Sequence, residues 1–303
     1  MHFICSTCAT QFAESDAAPD RCPICEDERQ YVGLGGQRWT TLEELRAERG
    51  SDVRDDSGYL GVGIRPEIGI GQRLLVVETD EGNVIWDMIP LVDDVAVEAV
   101  TARGPVRAIA ISHPHYYSGM VEWSRALGGV PILLHEADRE WIMRPDEAIE
   151  VWSGDERELV GGLTLLRLGG HFAGGTVLHD PASSTLLSGD IVQVIPDRRF
   201  VSFMWSYPNL IPLPAAEVER IAARLDSWQF DRILGAWWDR LVPRDGNEVV
   251  ARSAARYAER VTSLALRAGS GRGPRRRVRS ATRSGSGALA PSAGSLPRSR
   301  HGG

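Results

Sequence analysis

All four cysteines of this chain fall within its first 25 residues, as Cys5-Ser-Thr-Cys8 and, thirteen residues later, Cys22-Pro-Ile-Cys25. A C-x2-C turn aims two thiols at one point, and two such turns complete a tetrahedral set of four sulfurs. Residues 1–30 are too short and polar to fold on apolar burial alone. A metal held by Cys5, Cys8, Cys22 and Cys25 would therefore supply the folding energy of this module. The competing reading is a redox dithiol, but redox C-x-x-C motifs normally open a helix in a βαβ unit. The Cys-Pro-x-Cys half resembles the knuckles of zinc ribbons and rubredoxins. Structural zinc is the expected occupant, and iron also suits four-sulfur geometry. A closed set of four thiolates leaves no open position, so any catalytic centre must lie elsewhere.

The 303 residues, 43% of them hydrophobic, allow one large domain with an appendage or two modest domains. No run of 18 apolar residues occurs, so no membrane-spanning helix is expected. The N-terminus lacks a basic stretch followed by an apolar run, and the expected location is cytoplasmic. All 34 basic residues are arginine, and eight of them lie between Arg272 and Arg300, where there is no acid. Residues 1–267 thus carry 26 Arg against 41 Asp plus Glu, a formal charge of −15. Such an acidic body is a poor match for nucleic acid, whose affinity comes largely from neutralised phosphates. The Arg/Gly/Ser-rich stretch 267–303 reads as a disordered tail.

Four stretches separate: the cysteine module (1–30), a linker with a short helix (31–57), a main domain (58–266) and the tail. Thr40 and Thr41, followed by Glu43 and Glu44, mark the N-terminus of the linker helix. In the main domain, strands at 73–78 and 83–87 turn at Glu81-Gly82, and helices are expected at 94–102, 120–127 and 136–143. Further strands are expected at 108–112, 132–135, 163–168, 176–179, 185–188 and 232–234, and further helices at 215–225 and 248–266. Mixed strands and helices in this order predict an α/β domain with helices covering its sheets.

Candidate ligands sit where strands end. His113-Pro-His115 follows the apolar strand 108–112, Gly170-His171 ends another, and Ser188-Gly189-Asp190 a third. Open sheets place their sites at such strand ends. His135 and His179, also at strand ends, read instead as supporting or surface groups.

The order of 83–87, Ser112-His-Pro-His115, Gly170-His171 and Ser188-Gly-Asp190 resembles the metallo-β-lactamase-fold superfamily of metallohydrolases, over about residues 60–266. The resemblance implies an αββα four-layer sandwich, here preceded by the four-cysteine zinc ribbon. It assigns His113, His115 and His171 to one metal, Asp190 as a further carboxylate ligand, and Asp87 as the brace of the histidine loop. The family's H-x-H-x-D-H motif has Tyr117 and Ser118 at its last two positions here, and Trp237 stands where the last histidine is expected. The residues particular to a second metal are thus replaced, and a mononuclear site holding zinc or iron is implied.

The expected function is metal-dependent hydrolysis of an ester, thioester, amide or lactone-type small molecule, with Asp190 and Tyr117 in catalytic roles. Phosphodiester chemistry is disfavoured, because it usually wants two metals. Trp205, Tyr207 and Trp237 are expected to line an aromatic substrate pocket. The alternatives are an Fe(II) oxidoreductase on the same scaffold, and a non-catalytic sensor whose ribbon engages a protein partner.

Overall fold

Two mixed β-sheets organise the computed structural model, which describes residues 1–270, with side chains through 262. The N-terminal module has its own three-stranded sheet, from β1 (His2–Cys5), β2 (Gln11–Glu14) and β3 (Trp39–Thr40). A one-turn helix α1 (Pro23–Glu26) carries the second cysteine pair. Helix α2 (Leu42–Glu48) follows, and its Thr41–Glu44 capping box is formed as the sequence predicts.

The first large sheet contains β4 (Gly50–Asp56), β5 (Tyr59–Arg65), β6 (Leu74–Val77), β7 (Asn83–Trp86), β8 (Val106–Ala110), β9 (Ile132–His135) and β10 (Ile149–Trp152), in the order 10-9-8-7-6-5-4. Strands β4 to β7 pair antiparallel, and β7 to β10 pair parallel. Helices α3 (Asp94–Thr101) and α4 (Met120–Ala126) connect the parallel strands. The second sheet begins with β11 (Glu156–Glu158), β12 (Thr164–Arg167), β13 (Thr176–Asp180) and β14 (Thr185–Gly189). Two small hairpins follow, β15 (Gln193–Val194) with β16 (Val201–Ser202) and β17 (Met204–Ser206) with β18 (Ile211–Pro212). Helix α5 (Ala215–Asp226), β19 (Arg232–Gly235), β20 (Leu241–Val242) and α6 (Gly246–Ser270) complete the described chain, and β19 pairs parallel with β14.

The apolar residues explain why these elements stack in four layers. Along β6, Leu74 and Val76 join a core shared with α3 and α4, whereas Leu75 and Val77 join a core shared with the second sheet. Along β14, Leu187 faces the first sheet and Leu186 faces the core built with Val218, Ile221 and Leu225 of α5. The inner strands of both sheets bury both faces, so they read as largely apolar runs with side chains alternating between two cores. The architecture is the αββα sandwich expected from the sequence.

Met1–Leu264 form one compact unit. The stretch read as a linker contributes β3 to the module and β4, an edge strand, to the first large sheet. Its polar composition (Gly-Ser-Asp-Val-Arg-Asp-Asp) hides β4, because an edge strand needs no apolar run. The region expected as helix at 136–143 is a 3-10 stretch, Glu136–Trp141. The tail expected from 267 lies, from residue 271, outside the described residues. Among the described residues, no helix is long and apolar enough to cross a membrane.

Trp238 closes one end of β5. Its indole lies on Gly61 and Gly63, where added β-carbons would come within 2.7 and 2.9 Å of the ring. The Arg54 guanidinium covers the same ring at 3.9 Å, and beneath lies the buried Arg73–Asp56 ion pair. Gly61→Ala should therefore overpack this contact and cost about 1–3 kcal/mol in urea unfolding. Adding Trp238→Leu should recover part of that loss, whereas strictly additive effects would show that the contact is not the cause.

Candidate metal centres

Four sulfurs converge in the module. All four Sγ atoms lie within 4.8 Å of one another and are buried. Cys5 and Cys25 are 3.5 Å apart and Cys8 and Cys22 3.7 Å apart. A tetrahedral metal with 2.3 Å bonds to sulfur requires edges of about 3.8 Å, so the set is already at coordination spacing. Hydrogen bonds from Cys22 and Cys25 hold the Cys5 thiol far below the usual range, while Cys22 pushes Cys8 and Cys25 far above it. Thiolates packed this closely repel one another, and a bound cation relieves that repulsion. Gln37 Nε2 donates to Cys5 Sγ at 2.9 Å, satisfying part of that charge.

The second group is built on the large sheets. Past the end of β8 the chain turns through a 3-10 segment, Pro114–Tyr116, which presents His113 and His115 on one side. The loop after β12 brings His171, and the end of β14 brings Asp190. One donor atom from each lies within 4.8 Å of the others, and all four residues are at least 97% buried. The three ring centroids form a nearly equilateral triangle, with sides of 5.1, 5.0 and 5.1 Å.

The donor atoms can be assigned. His171 Nδ1 lies 2.7 Å from the Trp205 carbonyl and must donate to it, which leaves Nε2 with a lone pair. His171 Nε2 is 3.3 Å from His115 Nδ1, which is about the edge of a tetrahedron with metal–nitrogen bonds of 2.0–2.1 Å. His113 Nδ1 is 2.9 Å from Ser112 Oγ, so a His113 offering Nε2 gives its proton to that hydroxyl. His113 Nε2 and Asp190 Oδ1 approach to 2.9 Å, yet neither has an acceptable hydrogen-bond partner. Their alignment suits a shared point rather than each other. Buried polar atoms left in this state are costly unless a cation collects them, so the residues fit a bound metal.

Protonation states agree with that fit. Burial lowers His171 to about 4 and His115 well below the usual imidazole range. Burial alone would raise Asp190, but the His113, His171 and His115 rings hold it far below the usual carboxylate range. At neutral pH His115 and His171 are therefore neutral and Asp190 is an anionic carboxylate, the forms that bind metal.

Supporting contacts fix the ligands. Asp87 Oδ1 accepts the Ser112 N–H at 2.8 Å, just ahead of His113, and burial raises its carboxyl to about 6. Gly189 has φ +53°, and a β-carbon there would meet Ser112 Oγ at 2.8 Å, so glycine permits Asp190 to approach the histidine loop. Tyr207 donates its hydroxyl to the Asp190 carbonyl at 2.7 Å.

A cavity of about 140 Å³ opens on the histidine group. Asp190, His115, His171, Tyr207, Trp237, Ile70, Arg29 and Tyr31 are among its walls. Tyr207 and Trp237, two of the three aromatic residues singled out in the sequence, are among these walls. Trp205 does not line this cavity: its carbonyl holds His171 and its indole N–H donates to Glu28 Oε1 at 2.8 Å. Tyr117 is also displaced from its expected role. It is buried in the core on the helix side of the first sheet and is absent from the cavity wall. The 3-10 turn instead sets Tyr116 edge-on to His113, with 4.9 Å between ring centroids, and leaves the Tyr116 hydroxyl without a partner among the described residues.

The positions replaced in the histidine motif have acquired other contacts. Ser118 Oγ donates to the Ala9 carbonyl of the cysteine module at 3.2 Å, and Trp237 Nε1 donates to the Ile70 carbonyl at 2.7 Å. Sequence reading missed Phe172 and Arg29. Phe172 is an unremarked neighbour of His171, and Arg29 is one charged residue among several in the module.

No family model matches the chain. Over 270 residues it is 44% identical to the uncharacterized protein YmaE of Bacillus subtilis (strain 168), a match spanning 86% of this chain and 97% of that protein. The chain belongs to the YmaE family. Among solved structures it resembles the DIM-1 metallo-β-lactamase, with TM-score 0.53 and 14% identity over 70% of this chain and 98% of that one. It also resembles the FIM-1 metallo-β-lactamase from Pseudomonas aeruginosa in its mono-zinc form, with TM-score 0.51 and 14% identity over 69% and 96%. This member of the YmaE family therefore has the metallo-β-lactamase fold, with two groups of side chains placed to bind metal.

Asp138, in the 3-10 stretch Glu136–Trp141, accepts the Gly174 N–H at 2.8 Å and so steadies the loop that carries His171. Burial pushes its carboxyl up to about 6, against that hydrogen bond. Its folded value thus lies above its unfolded one, and the charged group costs stability as pH rises between the two. Asp138→Asn should gain on the parent protein by roughly 2–3 kcal/mol between pH 4 and pH 7 in urea unfolding. A difference independent of pH would contradict this.

Proposed function

We propose that this protein is a mononuclear metal-dependent hydrolase acting on an ester, thioester, amide or lactone-type bond of a small molecule. The observation that carries the reading is the convergence of His113 Nε2, His115 Nδ1, His171 Nε2 and an Asp190 oxygen, the last three residues lining a small cavity. Four protein donors, two of them without hydrogen-bond partners, fit one cation. A zinc held there would supply Lewis acidity toward a carbonyl oxygen and toward water.

The chain's own residues divide the remaining work. Asp190 is anionic at neutral pH and faces the cavity, so its carboxylate can accept a hydrogen bond from a water there and orient it. Burial keeps the Tyr116 phenol neutral, and its unpartnered hydroxyl is a donor beside the histidine group. Tyr31, Ile70 and Trp237 supply apolar walls that favour a compact acyl group and limit water. A second metal finds no protein donors at Ser118 and Trp237, whose polar atoms are engaged elsewhere. That supports acyl transfer over phosphodiester cleavage.

The test is hydrolysis of a panel of small esters, thioesters and lactones by the zinc-loaded protein, the chelated protein and His115→Ala. Chelation and the substitution should each abolish turnover, by at least about a hundredfold, on the same members of the panel. Turnover insensitive to both would overturn the reading.

A further inference from the structure

We infer that Arg29 is a positioning residue for His171, and that through it metal binding at the four-cysteine site and at the histidine site is cooperative. The inference rests on the metal-centre reading above and extends it to the cysteine module.

Residues 27–30 leave the second cysteine turn and run beside the histidine group, where Arg29 and Gln30 join the cavity wall. The Asp27 N–H closes the α1 turn by donating to the Pro23 carbonyl at 3.1 Å, which ties this strap to Cys22 and Cys25. Asp27 then grips Arg29 at both ends of the guanidinium, taking Nε–H at 2.6 Å and Nη2–H at 2.9 Å. The held guanidinium donates from Nη1 to the His171 carbonyl at 3.3 Å. Its Cζ lies 3.8 Å from the centroid of the Phe172 ring and 4.7 Å from that of Trp205.

These are the two residues that orient His171. Phe172 packs against the His113, His115 and His171 rings, with centroids 5.4, 4.9 and 5.1 Å away, and Trp205 accepts the His171 Nδ1 proton on its carbonyl. The strap holds the Trp205 side as well: Trp205 Nε1 donates to Glu28 Oε1, and Asn209 Nδ2 donates to the Glu28 and Gln30 carbonyls at 2.8 and 3.0 Å. Arg29 is only 7% exposed. Once the module is unfolded, its buried cation, the Phe172 face and the His171 carbonyl would each lose a partner. A group that orients a metal-bound histidine typically changes metal affinity 10–100-fold. A module whose folding requires its own metal confers that effect only when loaded.

Coupling of this kind is reciprocal: each metal must raise the affinity for the other by the same factor. Zinc affinities of both sites would be measured on the full chain by competition with a chromophoric chelator. Occupancy of the cysteine site would be followed separately by the thiolate-to-metal absorption of the cobalt-substituted protein. Arg29→Met should weaken the histidine site about 10–100-fold while that absorption persists. Cys5→Ser/Cys22→Ser should weaken the histidine site by a similar factor, and His113→Ala/His115→Ala should weaken the cysteine site reciprocally. Asp27→Asn, which keeps Arg29 but loosens its grip, should give a smaller loss in the same direction and serves if Arg29→Met does not fold.

A purely structural Arg29 would lower thermal stability without selective loss at one site. Histidine-site affinity within about twofold of the parent in Arg29→Met or Asp27→Asn, or in the cysteine variant, overturns the proposal. A parent protein that binds no metal at the histidine site overturns the metal-centre reading, and this proposal with it.

Discussion

The fold depends at its centre on four polar residues that the sandwich buries together without giving their donor atoms partners of their own. His113, His115, His171 and Asp190 come from three separate strand ends, and each is nearly inaccessible to water. An anionic carboxylate enclosed by imidazoles is expensive to desolvate, and protein groups satisfy only part of the demand. Ser112 and Trp205 take up the outward nitrogens of His113 and His171, while Asp87 fixes the loop that presents the first two histidines. The inward atoms remain for a cation. Much of the surrounding architecture follows from bringing these strand ends to one point: the left-handed Gly189, the Ser112–Thr176 link between the sheets, and the Asp138 grip on Gly174.

The cysteine module belongs to the same construction. It supplies Arg29, Gln30 and Tyr31 to the cavity wall, and it docks on the histidine loop through Ser118 and the Ala9 carbonyl. A ribbon regarded as a separate interaction knob would have no reason to place a buried arginine against Phe172. Ser118 serves this docking, and Trp237 lines the cavity.

Much of this was legible before any coordinates. The C-x2-C pair states its geometry outright, since spacing alone brings four thiols together. His113, His115, His171 and Asp190 were recognisable because each follows an apolar strand, and alternation between two cores makes those strands long apolar runs. β4 was not legible, because an edge strand can be polar. Tyr117 was misassigned because motif position fixes where a residue stands in the chain but not which way a 3-10 turn rotates it; the turn gives the site Tyr116. Trp205 was placed in the pocket on its aromatic character, whereas its main-chain carbonyl is the group in use. Arg29 had no signal at all, since its partners Phe172 and Trp205 are more than 140 residues away.

The most direct test of the central claim is metal content per chain at saturating zinc, after removal of excess, for the parent protein and for His113→Ala/His115→Ala. Two metals in the parent and one in the variant would establish a mononuclear site in the sandwich beside the four-cysteine site. One metal in both proteins would mean that the buried histidine group binds nothing, and the account of the fold built around it would be wrong.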